Sequence, residues 1–315
     1  MLQMIVRRII FGALTLLLVA TIIFVATELL PGDAALHILG RDATAENLAA
    51  MRERLGLGQP SYLRYLDWLG HLVIGDLGTS FGTNMPVAPL VADRLWNTMR
   101  LAAFAALLCM PLGFLLGVRS AIHAGSVFDR STGIVALVVA SLPEFFLGLS
   151  LVFLFAVQLG LFPAIAVVRP GQDAVAFLRS AFLPALTLAL SMIPHLVRMT
   201  RAAIMAELTS SYVETSVLKG VSRSAIIWGH VLPNVLGSLI STSALILAYL
   251  IAGVVVVETA FAFPGIGRLM VDAVANKDMP LIQASALVMS AVYVVTNLLA
   301  DLFAVLASPR IAEAR

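Results

Sequence analysis

Cysteine is nearly absent from this chain. Cys109 is its single thiol, so a disulfide, a CxxC redox pair or a thiolate metal cluster cannot be built within one copy. Charge is also scarce: 12% of residues are charged against 60% hydrophobic, and mean hydropathy is +1.00. That balance excludes an ordinary soluble domain. The formal charge is only +2, and no Lys/Arg run stands away from the apolar segments, which argues against a nucleic-acid partner. Catalytic signatures are missing too. None of the five histidines belongs to an H-E-x-x-H pattern, and Lys219 and Lys277 follow Leu218 and Asn276 rather than the glycine of a phosphate-binding loop. Any nucleotide hydrolysis therefore belongs to another chain. Gly78-Thr79-Ser80-Phe81-Gly82 does satisfy G-x-S-x-G, but that motif needs a strand-turn-helix context and a converging acid and histidine. Here His123, His195 and His230 lie in or beside apolar spans.

Long apolar runs are what the chain has in abundance. A helix crossing a hydrocarbon core of about 30 Å needs roughly 20 apolar residues with every backbone group satisfied internally. Six segments meet this, near Ile9 to Leu30, Thr98 to Val118, Thr132 to Leu159, Ala181 to Met199, Val235 to Val257 and Leu281 to Leu306. The expected fold class is an all-α polytopic membrane protein with six transmembrane helices and lipid as its surroundings. The first run is too long for the core of a cleaved signal peptide and lacks a clean A-x-A site, so it reads as a span. Arg7 and Arg8 before it place the amino terminus in the cytoplasm by the positive-inside rule, and six spans return the carboxyl terminus there. Arg119, Arg130, Arg198, Arg201, Lys219, Arg223, Arg310 and Arg315 then fall on the same side.

Three stretches organise the chain: the first helix over 1–30, an external segment over 31–97, and a permease-like core over 98–315 with a cytoplasmic loop at 200–234. The external segment has turn signals at Pro31-Gly32-Asp33 and Gly75-Asp76. Two amphipathic helices are expected in it. One carries Leu48, Met51 and Leu55 after Thr44, and the other carries Tyr62, Tyr65, Leu66 and Leu69 after Pro60. Covering the bundle and contacting a partner are both open to them. A second external loop spans Gly160 to Arg179. A third, Glu258 to Pro280, turns at Pro264-Gly265 and Gly267 before a helix expected to show Leu269, Met270, Ala273 and Val274 on one face.

Polar residues inside spans are costly and mark either function or packing. Glu144 follows Pro143, where a missing N–H interrupts the helix, and is a candidate for lining an aqueous pathway. Ser238, Thr242, Leu245 and Tyr249 recur at helical spacing in the fifth span, equally suited to a wetted path or to interhelical hydrogen bonds. His195, beside Arg198, reads as packing at a helix end. Asn297 and Asp301, four apart, read as a structural pair, and Gly113 and Gly117 form a GxxxG close-approach signal.

The most informative stretch is YVETSVLKGVSRSAIIWGHVLP, Tyr212 to Pro233, a polar segment between two apolar spans. Glu214 precedes Gly220 by six residues and Leu232-Pro233 closes the segment. It resembles the EAA loop of ABC-importer permeases. FVATELLPGDAA, LGLGQPSYLRYLDWLG, GDLGTSFGTNMPV, SLPEFFLGLSLVFLFAVQLGLFP, VVVVETAFAFPGIGRLMVDAV, KDMPLIQ and NLLADLFAVLASPRI extend the likeness along nearly the whole chain, to the dipeptide/oligopeptide branch that also includes nickel and glutathione importers. The resemblance implies a type I importer permease fold. It also implies a second homologous permease, two cytoplasmic ATPases that bind ATP and Mg, and a periplasmic binding protein that delivers cargo. This chain itself would bind no cofactor. Tyr212, Glu214, Lys219, Gly220, Ser222, Arg223, Leu232 and Pro233 would then form the ATPase-coupling loop, folded as two short helices around the glycine. Thr215, Ser216 and His230 depart from the family pattern, and Glu214 stands where the peptide branch commonly has arginine. The competing class, a secondary transporter driven by an ion gradient, usually shows internal repeats, and none is visible here.

Overall fold

A computed structural model describes residues 2–30, 34–39, 44–54, 58–169 and 171–307. The turn at Pro31-Gly32-Asp33, Leu55 and the charges Arg310 and Arg315 lie outside the described residues, as does the side chain of Asp301. Every regular element among the described residues is helical. In order they are α1 (Leu2–Glu28), α2 (Ala34–Leu39), α3 (Ala45–Arg54), α4 (Ser61–Val73), α5 (Val87–Ile122), α6 (Val127–Ser141), α7 (Glu144–Leu151), α8 (Ala174–Glu207), α9 (Ser211–Leu218), α10 (Arg223–Ile226), α11 (Leu232–Ala260), α12 (Ile266–Ala275) and α13 (Met279–Ala307). Two π-helical stretches, Val152–Gln158 and Ile227–Val231, follow α7 and α10.

Five helices are long and apolar enough to cross a membrane: Val6–Glu28, Val87–Ile122, Ala174–Glu207, Arg223–Ile251 and Met279–Ala300. The expected third span, Thr132 to Leu159, is not one rod. Its two arms, Val127–Ser141 and Glu144–Gln158, bend by 103° at the break between them. Leu142 (ψ 133°) and Pro143 (ψ 142°) are both extended there. A residue before proline is pushed out of the α region, and proline offers no N–H to continue the ladder. Pro143 instead caps α7, whose first turn carries Glu144, the favourable sign of charge at a helix N-terminus. Pro111, Pro184 and Pro194 sit inside continuous helices, so proline alone does not decide a break.

The chain divides into two compact units, one of Met1–Ile9, Met99–Phe263 and Val295–Arg315, the other of Ile10–Thr98 and Pro264–Val294. In the second unit, α4 lies against the end of α1. Tyr65 Oη and Thr21 Oγ1 are 2.6 Å apart, Ser61 and Arg64 donate to Glu28, and Phe24, Tyr65 and Trp68 form an aromatic cluster. The contact face thus includes Arg64 and Trp68, whereas Tyr62 and Leu66, expected on the same stripe as Tyr65, point outward. On α12 the inward residues are Ile266, Leu269 and Ala273, spaced by three and four. Of the expected face, Leu269 and Ala273 are thus inward and Met270 is partly buried, while Val274 is exposed. Val87, Val91, Leu281 and Ile282 complete that core.

In the first unit the GxxxG pair brings α5 onto α8. A Cβ on Gly113 would stand 2.6 Å from Leu196, and one on Gly117 would stand 2.7 Å from Thr200. Neither space admits a methyl group. Asp129 of α6 accepts two hydrogen bonds from Arg201 of α8, at 2.7 and 2.8 Å, and a third from Gly125 N–H. Arg201 is therefore an interhelical tie as well as a charge. His195 is exposed, with Arg198 Nη2 3.3 Å from its Nδ1.

Candidate functional site

The loop from Tyr212 to Pro233 is built around one backbone corner. α9 ends at Leu218, and Gly220 follows with φ 74°. Gly220 N–H donates to Val217 O at 2.9 Å and Val221 N–H to Ser216 O at 3.2 Å. Those are the two bonds of a Schellman motif, which needs a left-handed residue at this place, and glycine takes it without the Cβ penalty. Ser222 then caps α10, accepting from Ala225 N–H at 3.3 Å.

α10 is not a free-standing second helix, as the resemblance implied. Through the π-helical turn Ile227–Val231 it runs into α11, and Arg223–Ile251 is a single membrane-length helix. Leu232 N–H bonds to Ile227 O, five residues back. The wider turn lets the helix continue into Pro233, which has no N–H to give at the first turn of α11.

Side chains anchor the corner on one side and leave it open on the other. Val213, Ile226, Ile227 and Val231 are buried with Val118, Ala121 and Ile204, and Tyr212 and Leu232 pack against the same cluster. Tyr212 Oη donates to Glu207 Oε1 at 2.9 Å and accepts from Asn234 Nδ2 at 3.0 Å. Thr215 and Ser216, departures from the family pattern, donate to Ser211 O and Tyr212 O, so both hydroxyl protons are used within α9, although Thr215 itself is exposed. Glu214, Lys219, Gly220, Ser222 and Arg223 are exposed, together with Val217, Val221, Trp228 and Leu218, the last 82% exposed. Large apolar side chains thus stand open beside charged ones at this corner.

The residues considered for a pathway do not form one group. Glu144 is half-buried, its carboxylate within hydrogen-bonding reach of Ser191 of α8 and packed on the backbone of α11. A Cβ at Gly253 would lie 3.0 Å from Glu144 Oε1. Glycine at 253 is what admits the carboxylate. On α11, Ser238 and Tyr249 are exposed, while Thr242 is buried and donates to Ser238 O at 3.0 Å. The stripe therefore splits between a hydrogen-bonded residue inside and an outer face of Ser238, Leu245 and Tyr249.

Sequence reasoning missed a buried carboxylate in the second unit. Asp278, 3% exposed, accepts from Ser80 Oγ, from Phe81 N–H at 3.0 Å and from Gly82 N–H at 3.2 Å. The G-x-S-x-G motif is thus a cradle for an aspartate, and its serine donates to an acid. Asp278 standing before Met279-Pro280 at the start of an apolar run was the available signal, since aspartate is a favoured N-cap. Ser126-Val127-Phe128-Asp129, with Ser126 accepting from Asp129 N–H, was a similar capping signal for α6. Among the described residues no group of three or more His, Cys, Asp or Glu side chains is placed to hold a metal ion.

Comparison with known proteins gives this arrangement its relatives. Residues 110–313 match the family model described as binding-protein-dependent transport system inner membrane component, and residues 1–102 match the N-terminal model of such membrane components. A protein of Brucella abortus (strain 2308) named as a peptide transport system permease is 37% identical over 311 residues, covering 99% of both chains. The glutathione transport system permease protein GsiC of Salmonella typhimurium is 33% identical over 311 residues, again covering 99% of both. Among solved structures, the MetNI methionine ABC transporter in an inward-facing form superposes with a TM-score of 0.58 at 15% identity, covering 69% of this chain and 96% of the other, and this likeness shows the fold. The all-α architecture, the membrane-length helices and these matches over nearly its whole length establish that the chain belongs to the binding-protein-dependent transport system inner membrane component family, as a multi-pass permease subunit of an ABC importer.

Proposed function

We propose that the chain pairs with a second homologous permease to form the translocation pathway for di- or oligopeptides, delivered by a periplasmic binding protein and driven by two cytoplasmic ATPases that bind ATP and Mg. In this reading both termini face the cytoplasm, residues 31–97 are external, and the core over 98–315 carries the coupling loop. The observation that carries it is the Gly220 corner: a rigid turn anchored inward by Val213 and Ile226 and presenting Leu218, Val221, Lys219 and Arg223 outward. ATP can shift a conformational equilibrium only through contacts that differ between its states. A loop continuous with a membrane-length helix is suited to that, because any displacement at Arg223 is applied directly to α11.

Within the loop, Lys219, Ser222 and Arg223 supply donors to ATPase carboxylates and carbonyls, Glu214 accepts, and Tyr212, Leu232 and Pro233 hold the platform. Glu144, Ser238, Thr242 and Tyr249 belong to the pathway in this reading, Thr242 by supporting its wall and the others by reaching it. Relatives named for peptide and for glutathione transport support a peptide-like cargo, glutathione being itself a tripeptide.

Gly220→Val tests the coupling. A β-branched residue forced to φ 74° is strained by on the order of 1 kcal/mol or more, and open space around its Cβ gives no steric reason for the rest of the fold to change. Pairing with the second permease is expected to persist while ATPase retention and substrate-stimulated ATP hydrolysis fall. Normal retention with normal stimulation would overturn the assignment. Uptake of labelled dipeptide, longer peptide and glutathione, each with the cognate binding protein, decides the cargo.

A further inference from the structure

Glu144 is a carboxylate without a counter-charge. Among the described residues no Lys, Arg or His side chain pairs with it. The basic residues that follow Ser191 on α8, His195 and Arg198, stand about 6 and 10 Å further along the helix axis and contact each other instead. Hydrogen bonds do not make up the difference. Ser191 Oγ, the donor within reach of the carboxylate, also has Leu188 O at 2.9 Å, and its single proton serves one acceptor at a time. Two carboxylate oxygens accept about four hydrogen bonds, so most of that capacity is unspent.

The chain itself fixes where this charge sits. A Cβ at Gly253 would stand 3.0 and 3.2 Å from the two oxygens, so the backbone of α11 backs both of them, with Ser191 of α8 alongside. Glu144, Ser191 and Gly253 belong to one compact unit, and their contacts need no partner chain. A carboxylate inside an apolar span is costly until a cation meets it. The N-terminus of α7 offsets only part of that, since a helix dipole amounts to a fraction of a charge. A metal ion is a poor match, because among the described residues no three His, Cys, Asp or Glu side chains are gathered to hold one. A primary ammonium suits the position better, being a compact charge with three donors to spend on acceptors of this kind. Tyr249, one turn before Gly253 on the same face of α11, adds an aromatic residue close by, the other side-chain type that attracts an ammonium.

We infer that Glu144 receives the α-ammonium of the cargo and so selects peptides with a free amino terminus. That group is the cation common to all unblocked peptides whatever their side chains, and glutathione carries it too. The inference rests on the peptide reading proposed above and gives it a specificity-determining residue. Gly253 acts through Glu144, as a positioning residue that admits the carboxylate.

The test uses the complete importer in nanodiscs, where both faces are open, with neither binding protein nor ATP. Modification of Glu144 by dicyclohexylcarbodiimide is followed by mass spectrometry. Millimolar alanyl-alanine is expected to slow it several-fold, and N-acetyl-alanyl-alanine at the same concentration is expected to leave it unchanged. In vesicles with the cognate binding protein, Glu144→Gln is expected to lower alanyl-alanine uptake about tenfold, the loss of one charge-assisted contact. Equal protection by both peptides would overturn the inference. So would a Glu144 that is never modified, or is modified at a rate indifferent to both, because a proton or a cation of the second permease then already satisfies it. Parental uptake by Glu144→Gln would overturn it as well, leaving the peptide reading intact. Failure of the parent to take up any peptide with its binding protein would instead remove the cargo reading, and the inference with it.

Discussion

Ser80 Oγ donates to Asp278 Oδ2 at 2.5 Å across 198 residues of sequence, and the N–H groups of Phe81 and Gly82 complete the cradle around the same carboxylate. Ser80 in turn accepts from Thr83 N–H at 3.1 Å and Thr83 Oγ1 at 2.9 Å. Leu281 N–H reaches Asp278 Oδ1 at 3.4 Å, so one side chain both caps α13 and closes the loop.

Asp278→Ala is expected to lower stability by about 3 kcal/mol, since it strands several buried donors at once. Asp278→Asn is expected to be little better, because its amide N–H₂ confronts donors where a carboxylate oxygen was. The readout is the melting temperature of purified protein, together with thiol labelling of Asn84→Cys, which rises if the loop is released. Cys109 is fully buried and does not compete for reagent. An unchanged melting temperature and labelling rate in both variants would show that the cradle contributes nothing.

Glu144 and Gly253 are expected to be energetically coupled. Gly253→Ala places a methyl group 3.0 Å from the carboxylate, an overpacking cost of about 1 kcal/mol. In a Glu144→Ala background the same methyl has room, and the cost is expected to shrink by at least about 0.5 kcal/mol. Stabilities of the four proteins and their transport rates measure the cycle. Additive effects would mean that the carboxylate does not sit on α11 in the working protein.

Arg201→Ala is expected to cost about 2 kcal/mol. Removing one partner of a fully buried pair costs about 3–5 kcal/mol, and the 38% exposure of the Arg201 side chain reduces that figure. Arg201→Lys keeps the charge and loses the two-pronged geometry, so it is expected to recover only part of the loss. Thermal unfolding decides it, and a lysine variant as stable as the parent would show that charge alone ties α6 to α8.

The proposed orientation is checked by impermeant thiol labelling of intact cells. Ala49→Cys, exposed on α3, is expected to react, and Leu218→Cys, exposed at the Gly220 corner, is expected to react only after the membrane is opened. The reverse pattern would invert the topology.

Much of the fold was legible in sequence because its cause is local. A membrane-length apolar run has few ways to satisfy its backbone other than a helix, so the long helices follow from composition. The Gly220 corner is equally local: a helix of modest length, then a glycine able to take φ 74°, then a serine cap. GxxxG announced a close approach on α5, although nothing in the motif said that Leu196 and Thr200 of α8 would fill it.

Tertiary structure decided what depends on partners distant in the chain. Pro143 looks like Pro111, Pro184 or Pro194 in sequence, yet only the chain at Leu142–Pro143 turns away, by 103°. Helical spacing grouped Thr242 with Ser238 and Tyr249, but which of them faces inward depends on the neighbours around α11. Sequence excluded Ser80 as a nucleophile but could not say that it serves Asp278, and the space for Glu144 is set by Gly253 on another helix. Backbone hydrogen bonding and φ preference act within a few residues and are written in local sequence, whereas burial and carboxylate satisfaction depend on pairs that only the folded chain brings together.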